Sequence, residues 1–204
     1  MSGRDAILSS IRARTRPKVP EPETYRAPSL SPDLTALFVE KARGVDTEIR
    51  ILGSEAEIPT AVAELLRGRN LAAKIHLPPR SDVADLPWDK QLTVERGVPG
   101  PDDAAVTRAP LAIAETGTLV QPSRDASPAS WHFRPGFEIA ILREADIVAH
   151  FEDALAKLKS AGALAATVNL ITGPSRTGDI EQTLELGAHG PKALAVLVVR
   201  ERRS

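Results

Sequence analysis

Three short polar segments that contain glycine carry the residue types best suited to chemistry. The first is Ala114-Glu115-Thr116-Gly117-Thr118, which places a carboxylate and two hydroxyls within apolar sequence. Burying such groups without partners costs about 1–3 kcal/mol each, so we expect them to bond to a ligand or to one another. In a pocket, Glu115 would act as a base, a nucleophile or a ligand anchor. The alternative is a tight hairpin in which Gly117 adopts a positive φ and the threonine hydroxyls satisfy the turn.

The second segment spans residues 172–179 and follows a predicted strand. A predicted helix begins at its last residue, Asp179, so free backbone N–H groups and the helix dipole would favour an anion there. Ser175 and Thr177 add hydroxyl donors, and Arg176 adds a planar guanidinium suited to a carboxylate or a phosphate. The alternative is that Asp179 only caps the helix and that Arg176 pairs with a surface acid.

The third segment is Gly187-Ala188-His189-Gly190-Pro191, in which the glycines allow a close approach of the backbone. His189 would donate a hydrogen bond or transfer a proton, and the alternative is an ordinary loop histidine. The candidate catalytic residues are Glu115 and His189. The candidate ligand-binding residues are Thr116, Gly117, Thr118, Gly173, Ser175, Arg176, Thr177, Asp179 and Gly190.

Apolar strands and amphipathic helices alternate along the chain and would position these segments. Strands are predicted at 48–52, 71–77, 138–142, 165–172 and 194–199, with apolar pieces at 111–114 and 118–120. Helices are predicted to begin at Asp33, at Ser54, at His150 and at Asp179. Strands that are apolar on both faces and are separated by helices indicate an α/β fold. We therefore expect three layers, with a mostly parallel, Rossmann-like sheet between helices.

The first 32 residues differ from the rest and are predicted to form an arm on one α/β domain of residues 33–204. Prolines recur from Pro17 to Pro32, which is typical of an extended tether. Before them, Ile7, Leu8 and Ile11 occur at helical spacing. This helix would dock its apolar side chains on the body or on a partner. Its Arg- and Ser-rich composition also fits a mitochondrial transit peptide.

Composition excludes several classes of function. The chain has 204 residues, 26 Lys and Arg against 27 Asp and Glu, and no cysteine. The lack of cysteine excludes disulfides and thiolate-ligated metal or iron–sulfur centres. Near-zero net charge argues against nucleic acid as a partner, and no apolar run approaches the ~20 residues of a membrane span. We therefore expect a cytoplasmic protein.

Two familiar site patterns are also missing from the sequence. No metal site is predicted, because the four histidines lack ligand spacing such as HExxH. Ser175, His189 and Asp179 have the residue types of a hydrolase triad, but the nucleophile-elbow motif does not accompany them. No cofactor follows from the sequence.

The three segments, in this order, resemble the LUD-domain family of lactate utilization protein C. The resemblance covers about half the chain, residues 106–199. It implies a fold similar to the NagB/RpiA/CoA-transferase superfamily. It also implies a role in oxidising L-lactate to pyruvate, beside a cysteine-rich partner and a partner that carries iron–sulfur clusters. Because this chain has no cysteine, the redox centres would reside in those partners.

The chain departs from this family where a histidine is expected near the start of a strand. Glu138 stands there and inverts the local charge, which puts in doubt any ligand binding by that histidine. Gly178 replaces a common alanine, and residues 121–134 lack the expected glycine-rich run.

Three functional interpretations remain open. In the first, the turn from Ser175 to Asp179 holds a small anionic ligand at the carboxyl ends of strands. Glu115 and Thr116 would face this ligand, and His189 would close the rim. In the second, a stand-alone transferase or isomerase uses Glu115 as nucleophile or base. In the third, the chain is a non-catalytic assembly module whose arm docks the iron–sulfur subunit.

Overall fold

The computed structural model describes residues 3–13, 27–80, 82–162, 165–178, 184–186 and 190–200. The helices in these ranges are α1 (Gly3–Ala13), α2 (Leu34–Gly44), α3 (Ile58–Gly68), α4 (Ser130–Phe133) and α5 (Phe151–Ser160). The strands are β1 (Glu48–Leu52), β2 (Lys74–His76), β3 (Thr93–Glu95), β4 (Ala104–Ala109), β5 (Leu111–Ile113), β6 (Thr118–Pro122), β7 (Phe137–Arg143), β8 (Ile147–Val148), β9 (Val168–Ile171), β10 (Arg176–Gly178), β11 (Leu184–Leu186) and β12 (Ala193–Val199).

Six strands form a sheet in the order β1-β12-β7-β4-β2-β3, and every neighbouring pair is parallel. The register places Ile139 of β7 beside Ala195 of β12 and Val106 of β4. The apolar runs predicted at 48–52, 138–142 and 194–199 are confirmed as β1, β7 and β12. Parallel strands need cover on both faces, which is why these runs do not alternate with polar residues.

The two faces of this sheet are covered differently. On one face α3 packs against Ile139 and Ile141 of β7. On the other face α2 and a second sheet pack against Ala140 and Leu142 of the same strand. The second sheet has the order β8-β5-β6-β9 and mixes parallel with antiparallel pairs. Helices therefore flank the parallel sheet on both faces as predicted, and the second sheet supplies cover that the sequence analysis did not predict.

The helix predicted over 179–186 is wrong at its C-terminal end. Residues 184–186 form β11, which pairs antiparallel with β10 in the register Arg176↔Leu186 and Gly178↔Leu184. Leu184 and Leu186 flank Glu185, and this two-residue alternation is the pattern of a strand. Residues 179–183 lie outside the described residues.

The other predicted helices are confirmed, with one difference in capping. The Asp33 carboxylate accepts a hydrogen bond from Ala36 N at 2.9 Å and so caps α2. The predicted capping box at Ser54 does not start a helix directly. A 3₁₀ turn over Glu55–Glu57 intervenes, and Ser54 Oγ donates to the Glu57 carboxylate at 3.3 Å.

The predicted strand at 165–172 forms β9, but it is less buried than expected. Of its four residues only Ile171 is buried. α1 has no buried residue, and Ile7 and Ile11 are 62% and 59% exposed. No helix in the described ranges is long and apolar enough to cross a bilayer.

Candidate functional site

The first motif is a tight hairpin between β5 and β6, which pair antiparallel. Gly117 closes the turn with a φ of +67°. A Cβ added at this position would lie 2.4 Å from the backbone nitrogen of Ala42 in α2. Glycine is thus required both by the left-handed conformation and by the contact with α2. The hairpin alternative is correct for the local backbone.

The carboxylate of Glu115 binds the start of α5. Its Oε1 accepts a hydrogen bond from Phe151 N at 3.1 Å, and its Oε2 lies 2.8 Å from His150 Nδ1. The hydrogen bond to Glu115 raises the pKa of His150. A carboxylate at a helix N-terminus satisfies a free N–H group and interacts favourably with the helix dipole. Glu115 therefore has a structural role as a cap, and its pairing with imidazole is also suited to proton transfer.

Three threonine hydroxyls join the first motif to the second. Thr116 Oγ1 lies 2.7 Å from Thr118 Oγ1, which lies 2.7 Å from Thr172 Oγ1. Antiparallel pairing of β6 with β9 brings these residues together. Thr118 is buried, whereas Thr116 and Thr172 are exposed at the two ends of the chain of hydroxyls. Three O–H donors make two internal bonds, so one O–H of the three is not used within this group.

The second motif packs on residues that follow α2. Gly173 has a φ of +82°, and a Cβ there would lie 2.5 Å from the carbonyl oxygen of Val45. The Arg176 guanidinium forms an ion pair with Asp46. This is the surface pairing that the sequence analysis left open as an alternative. An anionic ligand at Arg176 would compete with the Asp46 carboxylate.

The third motif contacts the second at its described residues. Ser175 N donates to the carbonyl oxygen of Pro191 at 2.9 Å. A Cβ on Gly190 would lie 3.1 Å from Ser175 Cβ. His189 and Asp179 lie outside the described residues, and Thr177 is described only as part of the β10 backbone.

The structure thus brings three of the described candidates, Gly117, Gly173 and Arg176, to the end of α2. Glu115 instead engages α5. Residues 184–186, at the end of the predicted helix, form a strand, and residues 179–183, where the helix dipole was expected, lie outside the described residues. Among the described residues of the motifs, a ligand could bind the three threonine hydroxyls and the Arg176 guanidinium, which is already paired with Asp46.

Comparison with known proteins finds similarity over the segments that contain the three motifs. The model of the LUD domain matches residues 101–199, which contain all three motifs. Lactate utilization protein C of Geobacillus kaustophilus is 36% identical over 96 residues, 45% of this chain and 40% of that protein. Lactate utilization protein C of Deinococcus radiodurans is 30% identical over 159 residues, 72% of this chain and 70% of that protein. The chain belongs to the LUD domain family.

A solved structure shares the fold of this LUD domain. The crystal structure of a DUF162 family protein from Deinococcus radiodurans superposes with a TM-score of 0.61 at 21% identity. The match covers 84% of this chain and 99% of that one. The match to the Geobacillus protein spans less than half of that relative's length.

Glu138, where the family resemblance leads us to expect histidine, is fully buried in β7 of this LUD domain. Its Oε1 lies 2.6 Å from His132 Nδ1 and accepts a hydrogen bond from Thr107 Oγ1 at 2.8 Å. A histidine is therefore present beside this position, supplied by α4. The sequence alone did not identify His132 and Thr107 as the partners of Glu138. A single acid in the apolar strand FEIAIL was the available signal, since a buried carboxylate needs bonded neighbours.

Metal binding has no support among the described residues. No group of three or more His, Asp or Glu side chains there is placed to hold an ion.

Proposed function

We propose that this chain is a cytoplasmic subunit of a lactate-utilization system, supporting oxidation of L-lactate to pyruvate with cysteine-rich and iron–sulfur partner proteins. The observation that carries this proposal is the 30% identity with a lactate utilization protein C across 72% of the chain. The absence of cysteine is compatible with it, because thiolate-ligated clusters would then belong to the partners.

We assign the LUD motifs a small anionic ligand of the carboxylate class. The exposed guanidinium of Arg176 supplies a planar pair of donors that matches a carboxylate. The hydroxyl chain ending at Thr172 supplies one further donor. In the free protein the Asp46 carboxylate forms an ion pair with the Arg176 guanidinium. The carboxylate of a bound ligand takes the place of the Asp46 carboxylate.

Isothermal titration with L-lactate and with pyruvate tests this assignment. Arg176→Ala is expected to weaken binding about tenfold or more, because a charge-assisted hydrogen bond contributes about 1.5–3 kcal/mol. Asp46→Asn is expected to tighten binding, because it frees the guanidinium. Asparagine tolerates the positive φ of 59° at residue 46, so the backbone is preserved.

Arg143→Ala is the matched control, since Arg143 is also an exposed arginine paired with an acid, Glu55. It should bind as the unmodified chain does. Equal affinity of the Arg176→Ala variant and the unmodified chain for both ligands would remove this arginine from the site.

A second candidate function is assembly through the arm. α1 leaves Ile7, Leu8 and Ile11 exposed at helical spacing, which suits docking on an apolar groove of a partner. The chain with Ile7→Ser and Ile11→Ser should lose co-purification with iron–sulfur proteins from cells grown on L-lactate, whereas Ser9→Ala should keep it. Retained co-purification in the double variant would show that the arm is not the contact.

The described contacts favour either of these functions over a stand-alone transferase or isomerase that uses Glu115. Both carboxylate oxygens of Glu115 already accept hydrogen bonds, from Phe151 N and the His150 ring. An attack by this carboxylate would have to break the N-terminal cap of α5. A closer relation to the NagB/RpiA/CoA-transferase folds is implied by the family resemblance and is compatible with the parallel sheet.

A further inference from the structure

A cavity of about 370 Å³ lies away from the LUD motifs, at the ends of β4 and β6. Its charged and polar lining comes from Arg80, Asp82, Arg108, Gln121, Arg124 and Ser127. Arg108 forms ion pairs with Asp82 at 2.7 Å and with Glu55 at 2.9 Å. The three arginines of the lining outnumber Asp82 and the adjacent Glu55, so the cavity keeps an excess of positive charge, which favours a ligand with a negative group.

Ser127 connects this cavity to the buried pair in β7. Ser127 Oγ lies 3.1 Å from His132 Nε2, and His132 Nδ1 lies 2.6 Å from Glu138 Oε1. His132 and Glu138 are fully buried, whereas Ser127 is only partly buried and reaches the cavity wall. A hydroxyl, an imidazole and a carboxylate thus follow one another from the cavity into the core.

The directions of these hydrogen bonds determine whether the proton of the Ser127 hydroxyl can move to His132. Glu138 Oε1 accepts from Thr107 Oγ1, and as a carboxylate it also accepts from the Nδ1–H of His132. His132 Nε2 then keeps its lone pair and accepts the Ser127 O–H. This is the tautomer in which an imidazole works as a general base toward a serine hydroxyl.

Gln121 gives a second, independent indication of a ligand. Its side chain is fully buried and lines the cavity, and neither its Nε2 nor its Oε1 has a hydrogen-bond partner within the described protein. A buried amide normally has partners, so an occupant with a carbonyl or carboxylate oxygen would satisfy its N–H groups.

We propose that Ser127, His132 and Glu138 form a nucleophilic relay for acyl transfer from a small ester or thioester whose acyl part carries a carboxylate. The arginines hold the carboxylate of the substrate. Gln121 Nε2 donates to the oxygen that becomes negative as the carbonyl is attacked. A cavity of this volume is at the small end of ligand sites and suits a short acyl group.

The steps balance without a further reactant except water. Ser127 Oγ attacks the carbonyl carbon and gives its proton to His132 Nε2. The bond to the leaving alcohol or thiol breaks, and His132 returns that proton to the leaving oxygen or sulfur. Water then attacks the acyl-serine, passing one proton through His132 to Ser127 Oγ, which releases a carboxylic acid and restores the serine.

The first test uses the full chain and a fluorophosphonate probe, which reacts only with activated serines. Peptide mapping by mass spectrometry should find one adduct, on Ser127. Ser127→Ala should lose the adduct, and Ser160→Ala, which removes an exposed hydroxyl on α5, should keep it. Failure of the unmodified chain to form an adduct on Ser127, under conditions that label a serine esterase, overturns the proposal.

The second test compares p-nitrophenyl esters of a dicarboxylic acid and of a neutral acid of equal length. The dicarboxylic ester should react at least about tenfold faster, and Ser127→Ala should reduce its rate by about 100-fold or more. Arg124→Gln should lower the ratio of the two rates. Equal rates for the unmodified chain and Ser127→Ala would overturn the proposal.

Glu138→Gln separates the relay from simple folding. It preserves the shape of the side chain and the hydrogen bond from Thr107, yet it removes the charge that stabilises protonated His132. Labelling of Ser127 should therefore slow about tenfold or more. The unfolding midpoint should stay near that of the unmodified chain. If this variant fails to fold, the mapped adduct and the partly exposed Ser127→Ala variant still decide the question. Neither test depends on lactate binding. A failure of the Ser127 relay can therefore be distinguished from a failure of the ligand site proposed at Arg176.

Discussion

The Glu115 carboxylate and the His150 imidazole stabilise one another at the start of α5, and this pairing raises the pKa of His150 above its usual value of about 6.5. A raised folded-state pKa means that the interaction stabilises the protonated imidazole. Its contribution to stability is fully present below the unfolded pKa and is lost as pH rises through the folded pKa. The native state therefore loses this stabilisation above about pH 6.5.

Glu115→Gln should return the pKa of His150 toward its usual value, because the neutral amide no longer favours the charged ring. Titration of the histidine ring signals by NMR measures this, and His150→Gln identifies the signal. Glu152→Gln is the control. Glu152 contributes only a weak Coulombic interaction to the same ring, so its loss should produce a smaller change. An unchanged titration in Glu115→Gln would contradict the pairing.

Residue types alone identified Glu115 and Arg176 as polar groups in need of partners, but they did not identify those partners. Asp46 is 130 positions before Arg176, and His150 is 35 positions after Glu115. The sequence left open a ligand or a hairpin turn at Glu115, and a ligand or a surface acid at Arg176. Only the packed elements reveal the partners of these side chains within the chain, because a side-chain contact at such separation depends on the whole fold.

At Gly117 the β5–β6 hairpin and α2 pack so closely that no side chain fits between them. The Cβ of any other residue at 117 would meet the backbone of both Lys41 and Ala42 at under 3 Å. Backbone atoms cannot swing aside as a flexible side chain can, so the helix or the turn would have to move.

Gly117→Ala should therefore reduce the free energy of unfolding by about 3 kcal/mol, from backbone strain together with overpacking. Urea denaturation followed by circular dichroism measures this. Gly68→Ala is the matched control, since nothing lies within 4 Å of its added Cβ and α3 ends there. It should change stability by about 1 kcal/mol or less, toward higher stability. Equal stability of the two variants would contradict the packing argument.

The hairpin of β10 and β11 shows where local patterns mislead at this scale. Asp179 with Gln182 fits a helix cap in isolation, whereas Leu184 and Leu186 fit a strand. Residues 176–178 offer a partner strand, and pairing with it satisfies the backbone of residues 184–186. At residues 184–186, pairing with a neighbouring strand thus overrides the predicted helix.

The parallel sheet holds the molecule together through β7, whose side chains enter the apolar clusters on both faces. Each of Ile139, Ala140, Ile141 and Leu142 is fully buried. β7 also carries Glu138, so one residue of the buried relay belongs to the most enclosed strand of the sheet. A strand that is packed on both faces holds such a positioning residue rigidly.

Ile141→Ala should reduce the free energy of unfolding by about 2–5 kcal/mol, because it opens a cavity in the centre of the core. Ile51→Ala on edge strand β1 is the matched control, since Ile51 is 43% exposed. It should cost about 1 kcal/mol or less. Chemical denaturation of both variants provides the comparison, and similar losses would show that β7 is not the centre of the core.

The sequence by itself determined strands β1, β7 and β12 and helices α2 and α5, because these follow from local hydrophobic period and capping. Strands β3 and β4 and the hairpin at Gly117 were left open by the sequence. Only the tertiary structure placed Gly117, Gly173 and Arg176 at the end of α2 and Thr107 beside Glu138. Thr107 and Glu138 meet because β4 and β7 pair in parallel with Ala105 opposite Glu138, and strand register depends on the complete core.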